Sequence, residues 1–480
     1  MVDLPMGFIH LLFFSVVSSS SVLSHAGHDH QGVGINYGQL GNNLPVPSRA
    51  VHLLRTELEA SIVKLYGADP GILAALANTG VEVMIMVPNN LIVPISPNQS
   101  LADEWVRSNL LPHYPRTRIR HLLVGNEILS DPTNKDIWFN LVPAMMRIQA
   151  ALEKYEVKEV KVGTSMAIDV LENSAVYPPS NATFRRDILR RVVRPMLEFL
   201  QDTRSFYYFD VYTYFHWIKD PKKIGLDYAL LKDNVTRYTD PASGLVYSDL
   251  FDQMVDSVVF AMRKLGYTDI PIFIAETGWP NSGDYDQIGA NYYNSATYNR
   301  NLVRKLATGR PIGTPARPRK PMRALIFALF NENMKGGPST ERHFGLLYPN
   351  GSRVYDIDLS GRTIVSAYGP LPLPKNNDPY KGKIWCVAAD SAGNNETALR
   401  LAVTAACGHG KGSCREIEKG GPCYGSGSQV VRASYAFSAY WARARESGVS
   451  CYFGGLAAQT IRDPSYGSCK FPSVSLTGTD

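Results

Sequence analysis

At 480 residues, 45% of them hydrophobic and 19% charged, the chain has apolar material for a sizeable core and length for two or three domains. The formal charge of +6 is a small excess of 49 basic over 43 acidic residues, too dilute for a nucleic-acid-binding protein. "RPRKPMR" (317–323) is its densest basic run and suits a solvated loop.

The first element is an address. "GFIHLLFFSVV" (7–17) is an apolar segment too short to span a bilayer, and small residues follow it up to Ala26. Residues 1–26 are therefore expected to be a cleaved secretory signal, although Asp3 stands where a basic residue is usual. "HAGHDH" (25–30) carries histidines at this processing junction, and no metal site is assigned to it.

Eight apolar stretches follow: "GVGINYG" (32–38), "SIVKLYG" (61–67), "VEVMIMVPN" (81–89), "IRHLLVGNE" (119–127), "VKVGTSMA" (160–167), "FYYFDVYTYF" (206–215), "IPIFIAE" (270–276) and "RALIFALFNE" (323–332). Helical patterns separate them, one carrying Arg185, Arg186, Arg190, Arg191 and Arg194 as a solvent face. Near-continuous hydrophobic runs alternating with helices describe parallel strands covered on their outer face. Eight in one domain predict an α/β fold, a (β/α)8 TIM barrel, over residues 27–367. A doubly wound open sheet is the alternative, but no Gly-rich phosphate loop follows the first strand.

"YGPLPLPKNNDPYKGK" (368–383), rich in Pro, Asn and Lys, predicts an extended linker. All six cysteines, Cys386, Cys407, Cys414, Cys423, Cys451 and Cys469, fall beyond it. An even number crowded into one short segment predicts a disulfide framework in an oxidising compartment. Metal binding competes poorly: no C-x-x-C pair occurs, and the nearby histidine is His409. Residues 384–472 thus form a small disulfide-rich module, mainly helical from "ETALRLAVTAAC" and "ASYAFSAYWARARE", with a tail at 473–480. Asn98, Asn181, Asn234, Asn350 and Asn395 begin glycosylation sequons. With no lipid-anchor signal at the C-terminus, a secreted protein of the extracellular space or cell wall, without membrane anchor, is expected.

In a barrel, reactive groups collect where strands end and βα loops begin. Glu127 closes the fourth stretch and Glu276 the seventh, while the eighth runs into "FNENMK" with Glu332 and Lys335. Any one of these acids alone is an ordinary surface or ion-paired residue. Two glutamates closing apolar strands three apart suit glycosidic cleavage, where one acid protonates the leaving oxygen and another meets the oxocarbenium ion. Tyr37, Tyr212 and Trp279 stand nearby, where aromatic faces stack on sugar rings.

"GINYG", "LLVGNE", "IAETGWPNSG" and "FALFNENMKGGPSTERHFGLLYPNG" resemble the motifs of plant endo-1,3-β-glucanases, glycoside hydrolase family seventeen, over residues 32–360. "WCVA", "SYAF" and "DPSYGSC" resemble the six-cysteine carbohydrate-binding module that follows many of them. The resemblance implies a retaining mechanism with Glu276 as nucleophile and Glu127 as acid/base, about 5–5.5 Å apart. It implies Asn126 on the sugar 2-hydroxyl, Glu332, Lys335 and Glu341 as a charge-tuning cluster, and Tyr37, Trp279 and Phe344 at subsites, with Tyr212 alongside. It also implies the pairs Cys386–Cys451, Cys407–Cys414 and Cys423–Cys469, which spacing alone leaves open among fifteen connectivities.

Asp210 and Thr213 depart from that pattern, which usually has Asn and Pro there. The expected activity is endo-hydrolysis of β-1,3-glucan by a monomer needing no metal, cofactor or nucleic acid. The alternatives are a mixed-linkage or exo-acting glucanase, a transglycosylase, or a non-catalytic wall-binding protein.

Overall fold

The computed structural model describes residues 32–476 apart from 175, 308–312, 391, 393–394, 409–413 and 425–427. The expected leader, "HAGHDH", His409 and the end of the tail lie outside the described residues. Strands β1 (Val33–Tyr37), β2 (Ile62–Leu65), β3 (Glu82–Val87), β4 (Arg118–Asn126), β5 (Lys161–Met166) and β6 (Tyr207–Val211) come first. A short hairpin, β7 (Tyr238–Thr239) and β8 (Val246–Tyr247), interrupts the series before β9 (Ile272–Thr277) and β10 (Arg323–Ile326). The eight long strands close a barrel in the order β1-β2-β3-β4-β5-β6-β9-β10, every pair parallel.

Each of the eight predicted stretches contains one barrel strand, but two end sooner than expected. β6 stops at Val211, and a short helix, Thr213–Trp217, takes over. β10 stops at Ile326, so Glu332 and Lys335 belong to the loop beyond it rather than to a strand end.

Alternation along the strands sorts two cores. Met84 and Met86 of β3, Tyr208 of β6 and Phe273 of β9 fill the lumen with Ile62, Leu123, Ala275 and Leu325. Val83, Ile85 and Val87 point outward into the larger layer between barrel and helices. The lumen is tight enough to require small residues: a Cβ on Gly163 of β5 would sit 2.2 Å from the Tyr208 ring. Some outer helices begin on side-chain caps, Asp69 accepting from Ile72 N (2.8 Å) and Asp249 from Asp252 N (2.8 Å). Arg186, Arg190, Arg191 and Arg194 are exposed, as a solvent face requires.

Two register shifts matter for the site. Phe209 and Asp210 of β6 face Ile274 and Glu276 of β9, so β9 carries one extra residue between them. Its pairing with β10 shows the same extra residue. Strict alternation after lumen-facing Ala275 would send Glu276 outward; the bulge turns it inward. β4 gains a residue against β5 between Leu123 and Asn126, where Gly125 holds φ +72°.

Residues 368–381 contain no helix or strand, but the segment is fastened to the barrel. Asn291 Nδ2 donates to Asn376 Oδ1 (2.7 Å) and Asn294 Nδ2 to Asn377 Oδ1 (2.7 Å). Beyond it, β11 (Gly382–Ala388), β12 (Ala457–Thr460) and β13 (Val474–Leu476) form an antiparallel sheet in the order β12-β11-β13. Helices Glu396–Gly408 and Gln429–Ala444 accompany it, so the module holds a sheet as well as its expected helices. Disulfides join Cys386 to Cys451, Cys407 to Cys414 and Cys423 to Cys469. The module's core is small, built around Trp385, Phe437 and Trp441, and cross-links of this kind supply what such a core lacks.

Candidate active site

The C-terminal ends of the strands surround a cleft of about 430 Å³ that contains Asn126, Glu127, Asp210, Tyr212, Glu276, Lys335, Glu341 and Phe344 on its walls. Glu276 is nearly buried, and three donors hold its carboxylate. Lys64 Nζ (2.8 Å) and the Tyr66 hydroxyl (2.6 Å) donate to Oε1; the Tyr212 hydroxyl (2.7 Å) donates to Oε2. Lys64 and Tyr66 lie two residues apart and so share the inward face of β2 and its extension. Burial pushes the Glu276 carboxyl up, but the Lys64 charge and the three hydrogen bonds more than offset this, leaving it below its usual value. A buried carboxylate paired with a buried ammonium is kept ionised.

Glu127 has the opposite environment. It occupies a left-handed backbone conformation, φ 48°, just past the β4 bulge, and its N–H donates to Ser165 O (3.1 Å). Its half-buried side chain has no cation of its own. Burial, then the nearby Glu276 charge, pushes its carboxyl up to about 7, with Lys64 pulling the other way. Asn126 is clamped between them: its Oδ1 accepts from Lys64 Nζ (3.0 Å) and the Ser165 hydroxyl (2.8 Å), leaving its amide N–H group free to donate into the cleft. Asn89 grips the Asn126 backbone from both sides, accepting from its N–H (2.9 Å) and donating to its C=O (3.2 Å).

The remaining expected residues divide. Tyr212 and Phe344 line the cleft, packed edge to face with ring centres 5.7 Å apart. Lys335 and Glu341 also line it and pair at 3.1 Å. Glu332 is not on the cleft wall: its carboxylate accepts the Leu40 N–H (2.7 Å) just past β1, where the Lys335 and Glu341 charges still act on it. Tyr37 is buried against Phe330, with ring centres 6.0 Å apart.

Trp279 is the clearest correction. Its ring is 0% exposed, packed among Tyr214, Trp217 and Tyr298, and its Nε1 donates to Gly289 O (2.8 Å). It supports the wall from behind and offers no face to a sugar. The strand turns it away at Gly278, where a Cβ would meet Phe327 O at 2.5 Å. The residues that sequence reasoning missed are Lys64, Tyr66, Asn89 and Ser165. The available signal was a lysine inside an otherwise apolar strand, "SIVKLYG", with a tyrosine two positions on.

Among the described residues no group of three or more His, Cys, Asp or Glu side chains is arranged to hold a metal ion. The five sequon asparagines are all exposed.

Comparison with known proteins adds the following. A family model described as glycosyl hydrolases family 17 matches residues 33–359, and one for the X8 domain matches residues 384–458. The chain is 48% identical over 444 residues to a probable glucan endo-1,3-beta-glucosidase A6 of Arabidopsis thaliana, covering 92% of this chain and 91% of that one. A glucan endo-1,3-beta-glucosidase of Triticum aestivum is 35% identical, covering 92% and 95%. Among solved structures, CJP38, a beta-1,3-glucanase and allergen of Cryptomeria japonica pollen, is 39% identical with a TM-score of 0.64, covering 68% of this chain and 99% of that one. One of two plant beta-glucan endohydrolases with distinct substrate specificities is 31% identical with a TM-score of 0.61, covering 68% and 100%.

Proposed function

The chain belongs to glycosyl hydrolases family 17 and carries an X8 domain behind its barrel, and from that premise we propose that it is a retaining endo-hydrolase of β-1,3-glucan. The observation that carries the reading is two acids in opposed surroundings on one cleft: Glu276 held by Lys64 and two tyrosine hydroxyls, Glu127 buried beside it without a cation of its own, its carboxyl pushed up to about 7.

Glu276 attacks the anomeric carbon while Glu127 gives its proton to the departing glycosidic oxygen, leaving a glycosyl-enzyme ester. Esterification removes the Glu276 charge, which after burial is the largest cause holding the Glu127 carboxyl up. Glu127 therefore becomes easier to ionise at the moment it must take a proton from water. Lys64, no longer balanced by Glu276, favours the same change. The Asn126 amide donates to the sugar 2-hydroxyl, and Phe344 and Tyr212 give the ring an apolar wall. Lys335 and Glu341 set the charge at the cleft edge.

The X8 module binds the polymer. Disulfides and exposed sequons support a secreted glycoprotein whose first 26 residues are removed.

A product time course on linear β-1,3-glucan tests this reading. Mixed-length oligosaccharides should appear first, with the β-anomer released initially. Glucose alone would make the enzyme exo-acting, and products longer than the substrate would make it a transglycosylase. Polymer binding without turnover would leave a wall-binding protein. Glu276→Gln should cut kcat by roughly 10⁴-fold or more while polymer binding survives.

A further inference from the structure

Asp210 has no part in the steps above, yet it stands in the middle of the site. It lies two residues after Tyr208 on β6, on the lumen face, and is paired in register with Glu276. It is 2% exposed and forms part of the cleft wall, and neither carboxyl oxygen has a hydrogen-bond partner. The neighbouring Ser165 hydroxyl gives its proton to Asn126 instead. An orphaned pair of buried oxygens is costly unless something arrives to satisfy them.

Charge decides which form the group takes. From β9 it faces Glu276, from β2 Lys64, from the end of β4 Glu127, and from β5 the Ser165 hydroxyl. Tyr66 beyond β2, and Tyr207 and Tyr212 on or just after its own strand, complete the surroundings. Three acids share one lysine, and that lysine is bound to Glu276 and Asn126. Only one carboxylate is neutralised there, so a second and third ionised acid would stand buried and unpaired.

We propose that Asp210 is a further substrate-binding residue, a neutral carboxylic acid whose O–H donates to, and whose C=O accepts from, hydroxyls of the glucosyl unit held against Glu276. The uncharged group suits a sugar, which brings donors and acceptors but no charge. Burial, then the Glu276 charge, pushes the Asp210 carboxyl well above its usual range, in accord with this geometry.

The substrate named here rests on the β-glucan reading, so the test has one arm that uses no glucan. An infrared difference spectrum of the substrate-free protein, wild type minus Asp210→Asn, should show a protonated carboxyl at pH 7; a carboxylate band overturns the proposal. On a β-1,3-linked glucotetraose, Asp210→Ala should lower kcat/KM about 30-fold or more. Asp210→Asn, which keeps a donor and an acceptor in place, should recover most of that loss, falling only several-fold. Both limbs of its pH profile should stay within about 0.3 of wild type, because no charge was removed. A downward shift of more than about 0.5 in Asp210→Asn, or undiminished kcat/KM in a folded Asp210→Ala, overturns the proposal. If Asp210→Ala does not fold, the Asp210→Asn profile and spectrum decide alone. A wild-type enzyme inert on the tetraose overturns the β-glucan reading and the substrate named here, while the infrared arm still reads the proton.

Discussion

Lys64 does more at this site than its place in a buried strand announces. It is fully buried, it holds Glu276 at 2.8 Å, and it lowers the carboxyl of Glu127 as well. Replacing it by Met keeps the volume and removes the charge. Both acids should then titrate higher: Glu276 because it loses its largest stabilising partner, Glu127 because it loses a smaller one. The sign follows for the rate. In the proposed retaining mechanism Glu276 must be ionised, so the acid limb moves up; Glu127 must be protonated, so the alkaline limb rises above about 7. Hydrogen bonds to a charged group contribute about 1.5–3 kcal/mol each, so kcat/KM in Lys64→Met should fall roughly 10² or more at pH 5. A pH profile checks both effects, and an unmoved acid limb would show that Lys64 does not set the Glu276 charge. Tyr66→Phe should move the acid limb alone, since its hydroxyl bonds Glu276. That Glu127 and Glu276 share one cleft was legible in the sequence because each ends an apolar stretch. Trp279 misled for the same reason, since adjacency to Glu276 does not say which way a ring turns after Gly278. Its direction is set by Tyr214, Trp217 and Tyr298, residues remote in the chain. Trp279→Phe should accordingly cost about 1–3 kcal/mol in stability by thermal denaturation, with KM for glucan changed less than about twofold. A large rise in KM without loss of stability would put the ring back in the cleft.

Among the elements, the eight strands were readable as buried parallel runs, because burial on both faces writes a continuous apolar stretch. The bulges were not, because an extra residue in β4 or β9 changes no composition. Yet they decide the site: by alternation alone Glu276 would join the outer layer with Ile274, and only its pairing with β6 and β10 places it in the cleft. Gly125 is where the β4 bulge is most exposed to test. It holds φ +72°, and a Cβ there would meet the side chains of Ile92 and Ile128 at 2.7 and 2.8 Å. Gly125→Ala forces strain and a clash together, which should cost about 1–3 kcal/mol. The residues just after it, Asn126 and Glu127, must shift to relieve it. We expect a fall in kcat of roughly tenfold or more beside the lower melting temperature, measured on the same preparation. A stability loss with kcat intact would mean that the bulge serves packing and not the proposed acid/base.

For the molecule as a whole, the cysteine distribution and the Pro/Asn-rich segment separated barrel from module in the sequence, but not their contact, which depends on single side chains. Among the described residues the two share one compact unit. Arg445 of the module binds Asp286 of the barrel through Nη2 (2.9 Å) and Nε (3.1 Å), and Gln459 Nε2 donates to the same carboxylate (3.2 Å). The Tyr452 hydroxyl donates to Asn333 O, and the Arg342 guanidinium lies 3.5 Å from the Tyr452 ring centre. With Asn376 and Asn377 fastened to the barrel, the module is docked rather than strung on a free tether, and glucan bound to it would be presented from a fixed direction. Asp286 is the hub of three of these hydrogen bonds, but its pair with Arg445 is partly exposed, at 31% and 17% for the two side chains. Solvent screening limits such a pair to about 1 kcal/mol, so Asp286→Ala should loosen the module without releasing it. About 1 kcal/mol raises the open population roughly fivefold. Limited proteolysis within residues 368–381 should quicken by that factor in Asp286→Ala, while kcat/KM on a short oligosaccharide, which does not reach the module, stays at the wild-type value. Equal cleavage rates in the two proteins would mean that Asp286 does not hold the module, and a fall in oligosaccharide turnover would mean that docking shapes the cleft itself.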